Sequence, residues 1–465
     1  MIAATIGRTF LNAWNSRYNK KFSGKEFFDK EYFSLFFDHP KYMQWVTNSP
    51  FVQMNRGQKP ESLMKEERLE KLNDLHEKID SGLRDASIAI GFPASQEKEF
   101  ATTSGLVTDI DLQIDSEEVY LSWIGGGLGV GVAGGYSIFF NHPQILLCIY
   151  NGWEVYRKFL NDPTLNKLRG NQINTWNGQW LNYAYSMDFE ENPDFGYLLN
   201  FDIFKQDPKV IEVNTIFWTK LYFNLSESIS DETITTYVYS LGQTNKTIGF
   251  VPFRFHQGRS ILGIYKLLFG ANDALSQKKD YENLFGIHIK RACELGAIGL
   301  QALEPQGLRE FFDKSKMPDY SFCSIIPKPG ESSEDFKERK KKANQKDYEN
   351  IISFRTYKTW LLAMITKNKQ EDLHYSEEVA KALVAYRNAD KKLSTGRKNK
   401  VENLISAKSK KIFLDVLTEL VKDFDDQGAD LIKELQTKVY LMTAEDFGYF
   451  VVLLKFDYAY QEKKS

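Results

Sequence analysis

The chain of 465 residues has only three cysteines, Cys148, Cys293 and Cys323, and they lie far apart. Their odd number and wide spacing exclude a disulfide framework and a CxxC zinc site, and they favour a reducing cytoplasm. Basic and acidic residues nearly balance, because 60 of the former and 62 of the latter give a formal net charge of −2. A uniformly basic, histone-like binder is therefore excluded, but a local basic face is not.

Signals for secretion and for the membrane are also weak. Residues Met1–Arg8 contain no basic segment followed by an apolar one, so we predict no signal peptide. Residues Leu121–Trp153 lack acidic and basic side chains, but seven of the eleven residues over 125–135 are glycine, and Asn141-His-Pro143 interrupts the run. We therefore expect a buried strand, a glycine loop and a buried helix here, and no membrane partner.

Hydrophobic periodicity predicts an α+β fold. The capping-box sequence Ser23-Gly-Lys-Glu26 and the apolar stripe after Pro60 predict helices, and Asn141-His-Pro143 predicts the start of another. Strand-like patterns occupy Ala101–Ile124, Tyr136–Phe140, Val210–Phe223, Thr233–Leu241 and Gly249–Phe255. We divide the chain into a mixed α/β N-terminal body (1–315), a linker (316–346) and a C-terminal antiparallel helical bundle (347–465).

A glycine-rich segment is the most conspicuous motif. The sequence Gly129-Val-Gly-Val-Ala-Gly134 matches GxGxxG. A dinucleotide site also needs a helix that begins at this loop, and Tyr136–Phe140 is predicted to be extended. Two other interpretations stay open: a hairpin packed for steric reasons, or a loop whose bare backbone approaches a bulky partner such as a DNA groove.

Two uncharged polar segments are candidates for base recognition, because amides can read base edges and aromatic rings can stack on unpaired bases. The first is Asn171–Tyr183, where Trp176, Trp180 and Tyr183 share one side of a predicted helix. Its alternative is an aromatic face docked inside the protein. The second is Gln243-Thr-Asn-Lys-Thr247, between two predicted strands. Its alternative is a simple turn.

The clearest electrostatic feature is residues 391–411, which hold eight basic residues and one acidic residue. The basic residues are Lys391, Lys392, Arg397, Lys398, Lys400, Lys408, Lys410 and Lys411. Such a cluster binds phosphate backbones without sequence preference and in a salt-dependent way. The alternative is a solvated helix end.

Catalytic motifs are scarce. The six histidines are scattered without an HExxH pattern, and no Gly-x-Ser-x-Gly sequence occurs. We therefore predict a protein that is not an enzyme and that has no metal or cofactor.

Three segments together resemble a known family. They are KEFFDKEYFSLFFDHP (25–40), SWIGGGLGVG (122–131) and YVYSLGQTNKTIG (237–249). The chain resembles the large subunit of type I CRISPR interference complexes (Cascade), most like the type I-B branch. Some members carry paired CxxC motifs that suggest zinc. This sequence has none, so a zinc-bearing insertion is not expected.

The resemblance implies a ribonucleoprotein subunit that contacts guide RNA near its 5′ end and recognises the protospacer-adjacent motif in duplex DNA. It also implies that the subunit helps to unwind the target and binds the displaced single strand in the R-loop. The expected protein partners are the backbone and small subunits and a separate helicase–nuclease that the subunit recruits. The bundle resembles the small subunit. RNA–DNA pairing then reads the target, and protein reads only the motif.

Candidate residues follow from this division of roles and from residue chemistry. The candidates for motif recognition are Gly125, Gly126, Gly127, Asn174, Gln179, Asn182, Gln243, Asn245 and Lys246. The basic residues over 391–411 are assigned to the nucleic-acid backbone. Two alternatives remain: a structural assembly subunit without DNA readout, and a nucleotide-binding enzyme that uses the glycine-rich loop.

Overall fold

The computed structural model describes residues 2–46, 49–81, 115–231, 233–240, 246–269, 289–298, 302–303, 318, 325–366, 371–389 and 394–464. Contacts within the chain define two units. Unit 1 comprises Met1–His256 and His288–Gly299, and unit 2 comprises Gln257–Ile287 and Leu300–Ser465. Helices together with a small antiparallel sheet confirm the predicted α+β fold.

Unit 1 surrounds its sheet with helices. The helices before the sheet are α1 (Ile2–Tyr18), α2 (Gly24–Phe27), a π-helical turn (Phe28–Tyr32), α3 (Phe33–Phe36), α4 (Lys65–Asp80) and α5 (Ser116–Gly127). Those that follow are α6 (Pro143–Asn161), α7 (Ile173–Ala184), α8 (Phe195–Leu198), α9 (Trp218–Ser228), α10 (Phe255–Phe269), which crosses into unit 2, and α11 (Ile289–Glu294).

The aromatic residues of the N-terminal segment form the core of unit 1. The capping box is present, since Glu26 N donates to Ser23 Oγ at 3.2 Å and Ser23 N donates to Glu26 Oε2 at 2.9 Å. This start fixes the phase of the helix, and its aromatic face is buried. Tyr32 stacks on Phe36 with ring centroids 4.1 Å apart. The high aromatic content of the sequence is thus explained by packing.

Four strands form an antiparallel sheet in the order β1-β2-β5-β6. They are β1 (Val130–Val132), β2 (Tyr136–Phe140), β5 (Ile234–Ser240) and β6 (Lys246–Phe253). A separate pair consists of β3 (Phe204–Gln206) and β4 (Ile211–Val213). The predicted strands are therefore confirmed over 136–140, 234–240 and 249–253, with α10 beginning at Phe255 and residue 241 outside the described ranges.

Two strand predictions are wrong. Most of Val210–Phe223 is not a strand, because β4 ends at Val213 and α9 begins at Trp218. The segment Trp218–Phe223 is rich in aromatic residues, which favour strands, and the packing of α9 overrides that preference. Residues 116–124 belong to α5, whose N-cap Asp115 accepts a hydrogen bond from Glu118 N at 2.7 Å. Residues 101–114 lie outside the described ranges.

Unit 2 contains the helices of the C-terminal bundle. They are α12 (Ser333–Thr366), α13 (Glu371–Asn388), α14 (Ser394–Ile405), α15 (Lys410–Leu420), α16 (Asp426–Leu441) and α17 (Ala444–Lys464). The predicted apolar faces meet in one core that includes Val401, Leu404, Leu417 and Leu454. Residues 333–346 of the predicted linker form the start of α12. Within the described ranges, no helix combines the length and apolarity needed to span a bilayer.

Candidate nucleic-acid interface

The glycine segment that was predicted to enter a DNA groove is a buried helix end. Gly125, Gly126 and Gly127 form the last turn of α5, and all are buried. A Cβ added to Gly125 would lie 1.8 Å from Ala3 O, and one added to Gly7 would lie 2.0 Å from Leu121 O. Glycine therefore permits α1 and α5 to pack backbone against backbone, and the groove-binding prediction for Gly125–Gly127 is wrong.

The GxGxxG match covers β1 and a tight turn, and no helix begins at it. Residues 133–135 connect β1 to β2, and Gly134 and Gly135 have positive φ angles of 93° and 76°. Gly131 lies directly against α7, because its oxygen is 2.4 Å from a Cβ added to Gly178. The steric-hairpin interpretation is confirmed, and the strand–loop–helix geometry of a dinucleotide site is not present at this segment.

The amide-rich segment forms α7, and its aromatic face lies inside unit 1. Trp176, Trp180 and Tyr183 are 0%, 1% and 2% exposed. The buried Gln179 donates to Asn214 O at 2.9 Å, and Asn182 accepts from Asn224 Nδ2. The interior alternative is thus confirmed for the aromatic face, and the burial of Gln179 contradicts its assignment as a reader of base edges. Asn182 is half-buried, and its assignment stays a prediction.

Asn174 and its neighbour Asn177 differ in exposure. Asn174 is half-buried, with Nδ2 3.5 Å from Ser137 Oγ. Asn177 is fully buried and makes three hydrogen bonds: it donates to Gly127 O and Gly129 O, each at 2.8 Å, and accepts from Trp153 Nε1 at 3.0 Å. Sequence reasoning missed Asn177, which holds the end of α5 and the start of β1 together.

One end of the four-stranded sheet contains the backbone of one further candidate, Lys246. Val132 pairs with Tyr136, Tyr136 with Ser240, and Ser240 with Lys246, so these residues lie in one row across the strands. The exposed turn residues Gly134 and Gly135 lie at this end. Strands are about 4.8 Å apart, so the row spans about 14 Å. We call this row and its glycine turn the sheet end.

The sequence that follows β5 contains three of the predicted readers. Gln243 and Asn245 lie in the segment that joins Ser240 to Lys246, which is outside the described residues. The backbone of Lys246 begins β6, which pairs antiparallel with β5, so Lys246 and Thr247 lie in a strand and not in the predicted connection between strands. The glycine hairpin that was one of the open interpretations turns at Gly134-Gly135, and two glycines between β-type residues are a hairpin signal.

The basic segment of the bundle is partly neutralised within the protein. Arg397 donates to Tyr386 O at 3.0 Å and stacks 4.8 Å from that ring. Lys400 Nζ lies 2.6 Å from Asp423 Oδ2, which lowers the pKa of Asp423. Lys398 lies 3.6 Å from Glu402. These three are less available to phosphates than the sequence suggested. Lys391 and Lys392 lie outside the described residues.

The start of α15 contacts a helix end that has an exposed aromatic ring. Lys410 donates to Tyr440 O at 3.3 Å and to Met442 O, which brings the start of α15 against the end of α16. Lys408 and Lys411 are exposed, and the side chain of Tyr440 is 74% exposed. We call Lys408, Lys411 and Tyr440 the bundle end. Tyr440 was missed because it is far from the lysines in sequence.

A polar cluster elsewhere in unit 1 has structural rather than catalytic features. His76 Nδ1 lies 2.6 Å from Tyr120 Oη, and His76 Nε2 lies 3.0 Å from Asp29, which Lys25 contacts at 2.9 Å. Burial raises the pKa of Tyr120 and so favours the neutral phenol, which is a poor nucleophile. Within the described ranges, no three His, Cys, Asp or Glu side chains form a group that could hold a metal ion.

Comparison of the chain with protein-family models, curated proteins and solved structures found no match. The sheet end and the bundle end are therefore the features that support a functional proposal, together with the resemblance of the three sequence segments.

Proposed function

We propose that the chain is the nucleic-acid-binding large subunit of a type I CRISPR RNA-guided complex, most like type I-B. In this role it recognises a protospacer-adjacent motif in duplex DNA, helps to unwind the target and holds the displaced strand. It assembles with guide RNA and with backbone and small subunits, and it recruits a separate helicase–nuclease. The subunit itself performs no reaction.

The observation that carries the motif-reading role is the register of the sheet end. Antiparallel pairing brings a glycine turn with exposed backbone to the same end of the sheet as Ser240 and Lys246, and Gln243 and Asn245 lie between these two residues in the sequence. Amides form bidentate contacts with adenine edges, and a lysine contacts guanine or phosphate. The row of about 14 Å is similar to the major-groove width of about 12 Å. These features favour the sheet end over the buried α7 as the reader.

The bundle end supports a second role, in which it binds a single strand. Lys408 and Lys411 offer charge to phosphates, and Tyr440 offers an exposed ring on which a base can stack. The N-terminus of α15, which begins at Lys410, adds a partial positive charge. This combination binds strands without sequence preference, as expected for the displaced strand.

A selection experiment tests the motif-reading role. The complete complex is mixed with target duplexes in which the bases beside the target are randomised, and the bound duplexes are sequenced. The double variant Gln243→Ala/Asn245→Ala should lose about 1–3 kcal/mol of discrimination for each bidentate contact removed. The matched control, Asn73→Ala/Gln206→Ala, removes two exposed amides elsewhere on unit 1 and should retain full selectivity. Unchanged selectivity in the first variant would contradict this role.

One observation favours the alternative of a structural assembly subunit. Phe250 is 67% exposed and lines a small cleft with Phe139 and Tyr237. Exposed aromatic groups of this kind are typical of protein contacts. If assembly is the only role, Phe250→Ser should release partner subunits, whereas variants of the sheet end and the bundle end should leave DNA binding unchanged.

A further inference from the structure

Unit 1 contains a cleft of about 570 Å³ that the sequence analysis did not predict. Its walls come from separate parts of the chain: residues 40–45 after α3, residues 59–61, residues 166–171 before α7, and Lys209 between β3 and β4. The volume falls within the range of small-ligand sites. None of these residues belongs to the sheet end or the bundle end.

The wall formed by residues 166–171 is held in place on two sides. Lys41 Nζ donates to Leu165 O, Asn166 O and Leu168 O at 3.3, 2.8 and 2.9 Å. A Cβ added to Gly170 would lie only 2.4 Å from Tyr42 O, so glycine permits this close approach. On the other side, the backbone of Ile211 in β4 donates to Lys167 O at 2.9 Å. The cleft is therefore a preformed part of the fold.

Positive charge dominates the lining. Five cationic side chains face one carboxylate, that of Glu61. Two of the five are already engaged, since Lys41 bonds to the carbonyls and Arg169 pairs with Glu212 at 2.6 Å. The other three, Lys59, Lys167 and Lys209, are exposed and form no ion pair with another described residue. Three such lysines around one cleft favour a ligand that carries phosphate.

An aromatic platform accompanies these lysines. The side chain of Trp45 is 47% exposed and lines the cleft, whereas Tyr42, which also lines it, is buried. An exposed indole beside lysines can stack on a flat heterocycle. The exposed Asn166 and Asn171 supply amides at the same wall.

We propose that this cleft binds an unpaired nucleotide, with the base stacked on Trp45 and the phosphate held by Lys59, Lys167 and Lys209. The same chemistry is present in a free nucleotide and in an unpaired part of a strand, so the test separates these two sources. The proposal does not depend on the proposed function.

The test uses the full chain with Lys408→Ser, Lys411→Ser and Tyr440→Ser, so that the bundle end does not contribute. Two fluorescent probes share one base: a five-nucleotide adenosine RNA and a labelled ATP. Replacing Lys59, Lys167 and Lys209 by serine should weaken binding at least about tenfold and reduce the salt slope for the RNA by about 2. The matched control replaces Lys21, Lys65 and Lys158, which are exposed elsewhere on unit 1, and should bind normally.

Substitutions of the indole test stacking separately from charge. Trp45→Leu should weaken binding about fivefold or more, whereas Trp45→Phe should retain most of it. Binding of the RNA alone supports a strand as the source, and equal binding of ATP supports a free nucleotide. The proposal is overturned if neither probe binds, if the control triple variant loses as much affinity as the cleft triple variant, or if Trp45→Leu binds like the parent chain.

Discussion

Replacement of the buried Asn177 by leucine should be one of the most destabilising changes in unit 1. Leucine has a similar volume, so little cavity forms, but the Trp153 N–H and the carbonyls of Gly127 and Gly129 lose their partner. An unsatisfied buried polar group costs about 1–3 kcal/mol. Three such groups give a predicted loss of about 3–9 kcal/mol in the free energy of unfolding. The matched change Gln179→Leu removes one hydrogen bond and should cost about 1 kcal/mol.

Denaturant unfolding followed by tryptophan fluorescence measures this difference. Seven of the eight tryptophans lie in unit 1, so the signal reports mainly on that unit. A cost for Asn177→Leu no larger than that for Gln179→Leu would refute the reasoning. It would mean that the glycine segment of α5 and β1 does not depend on this amide.

Three further predictions concern pH, the bundle core and strand binding. Burial and the nearby Arg157 lower the pKa of His39 to about 4. As the pH falls from about 6.5 to 4, the unfolded chain therefore binds a proton at His39 before the folded chain does, and the free energy of unfolding decreases over that range. His39→Asn should make this loss smaller in pH-dependent unfolding curves. The buried ion pair between Lys358 and Asp457, 2.6 Å apart, predicts that Lys358→Met costs about 3–5 kcal/mol, measured by hydrogen exchange of the bundle helices. Asp457→Leu added to Lys358→Met should recover much of that loss, and no recovery would argue against an uncompensated charge. Serine at all three bundle-end positions should weaken single-strand binding and lower its salt slope by about 1.4, whereas Lys422→Ser/Lys433→Ser should not.

The sequence predicted the regular elements better than it predicted which faces are exposed. Helix starts such as Ser23–Glu26 and Pro143 were predictable because caps and proline act locally. The role of Gly125 was not, because the reason for glycine there is the backbone of α1, more than a hundred residues away. The same holds for Gln179, whose partner Asn214 is distant in sequence. Local patterns identify residue types suited to nucleic acid, but tertiary contacts decide which of them remain available.

The residues of the candidate nucleic-acid interface were also predicted only in part. Lys408 and Lys411 were identified by charge alone and are exposed. Tyr440 and the cleft around Trp45 were not identified from the sequence. Tyr440 is far along the chain from the basic segment that it accompanies, and the walls of the cleft come from separate segments. The pair Gly134-Gly135 indicates a hairpin, whereas the overlapping GxGxxG match indicates a nucleotide site, so the hairpin was only one of the interpretations of this segment.

The most direct measurement of the central claim is the affinity of the guide-RNA complex for its matched target duplex, with and without this chain. The complex purified from cells that lack the chain should bind the duplex at least about tenfold more weakly than the complete complex. Adding the purified chain should restore both the affinity and the motif selectivity. Equal affinity and equal selectivity in the two preparations would contradict a DNA-recognition role.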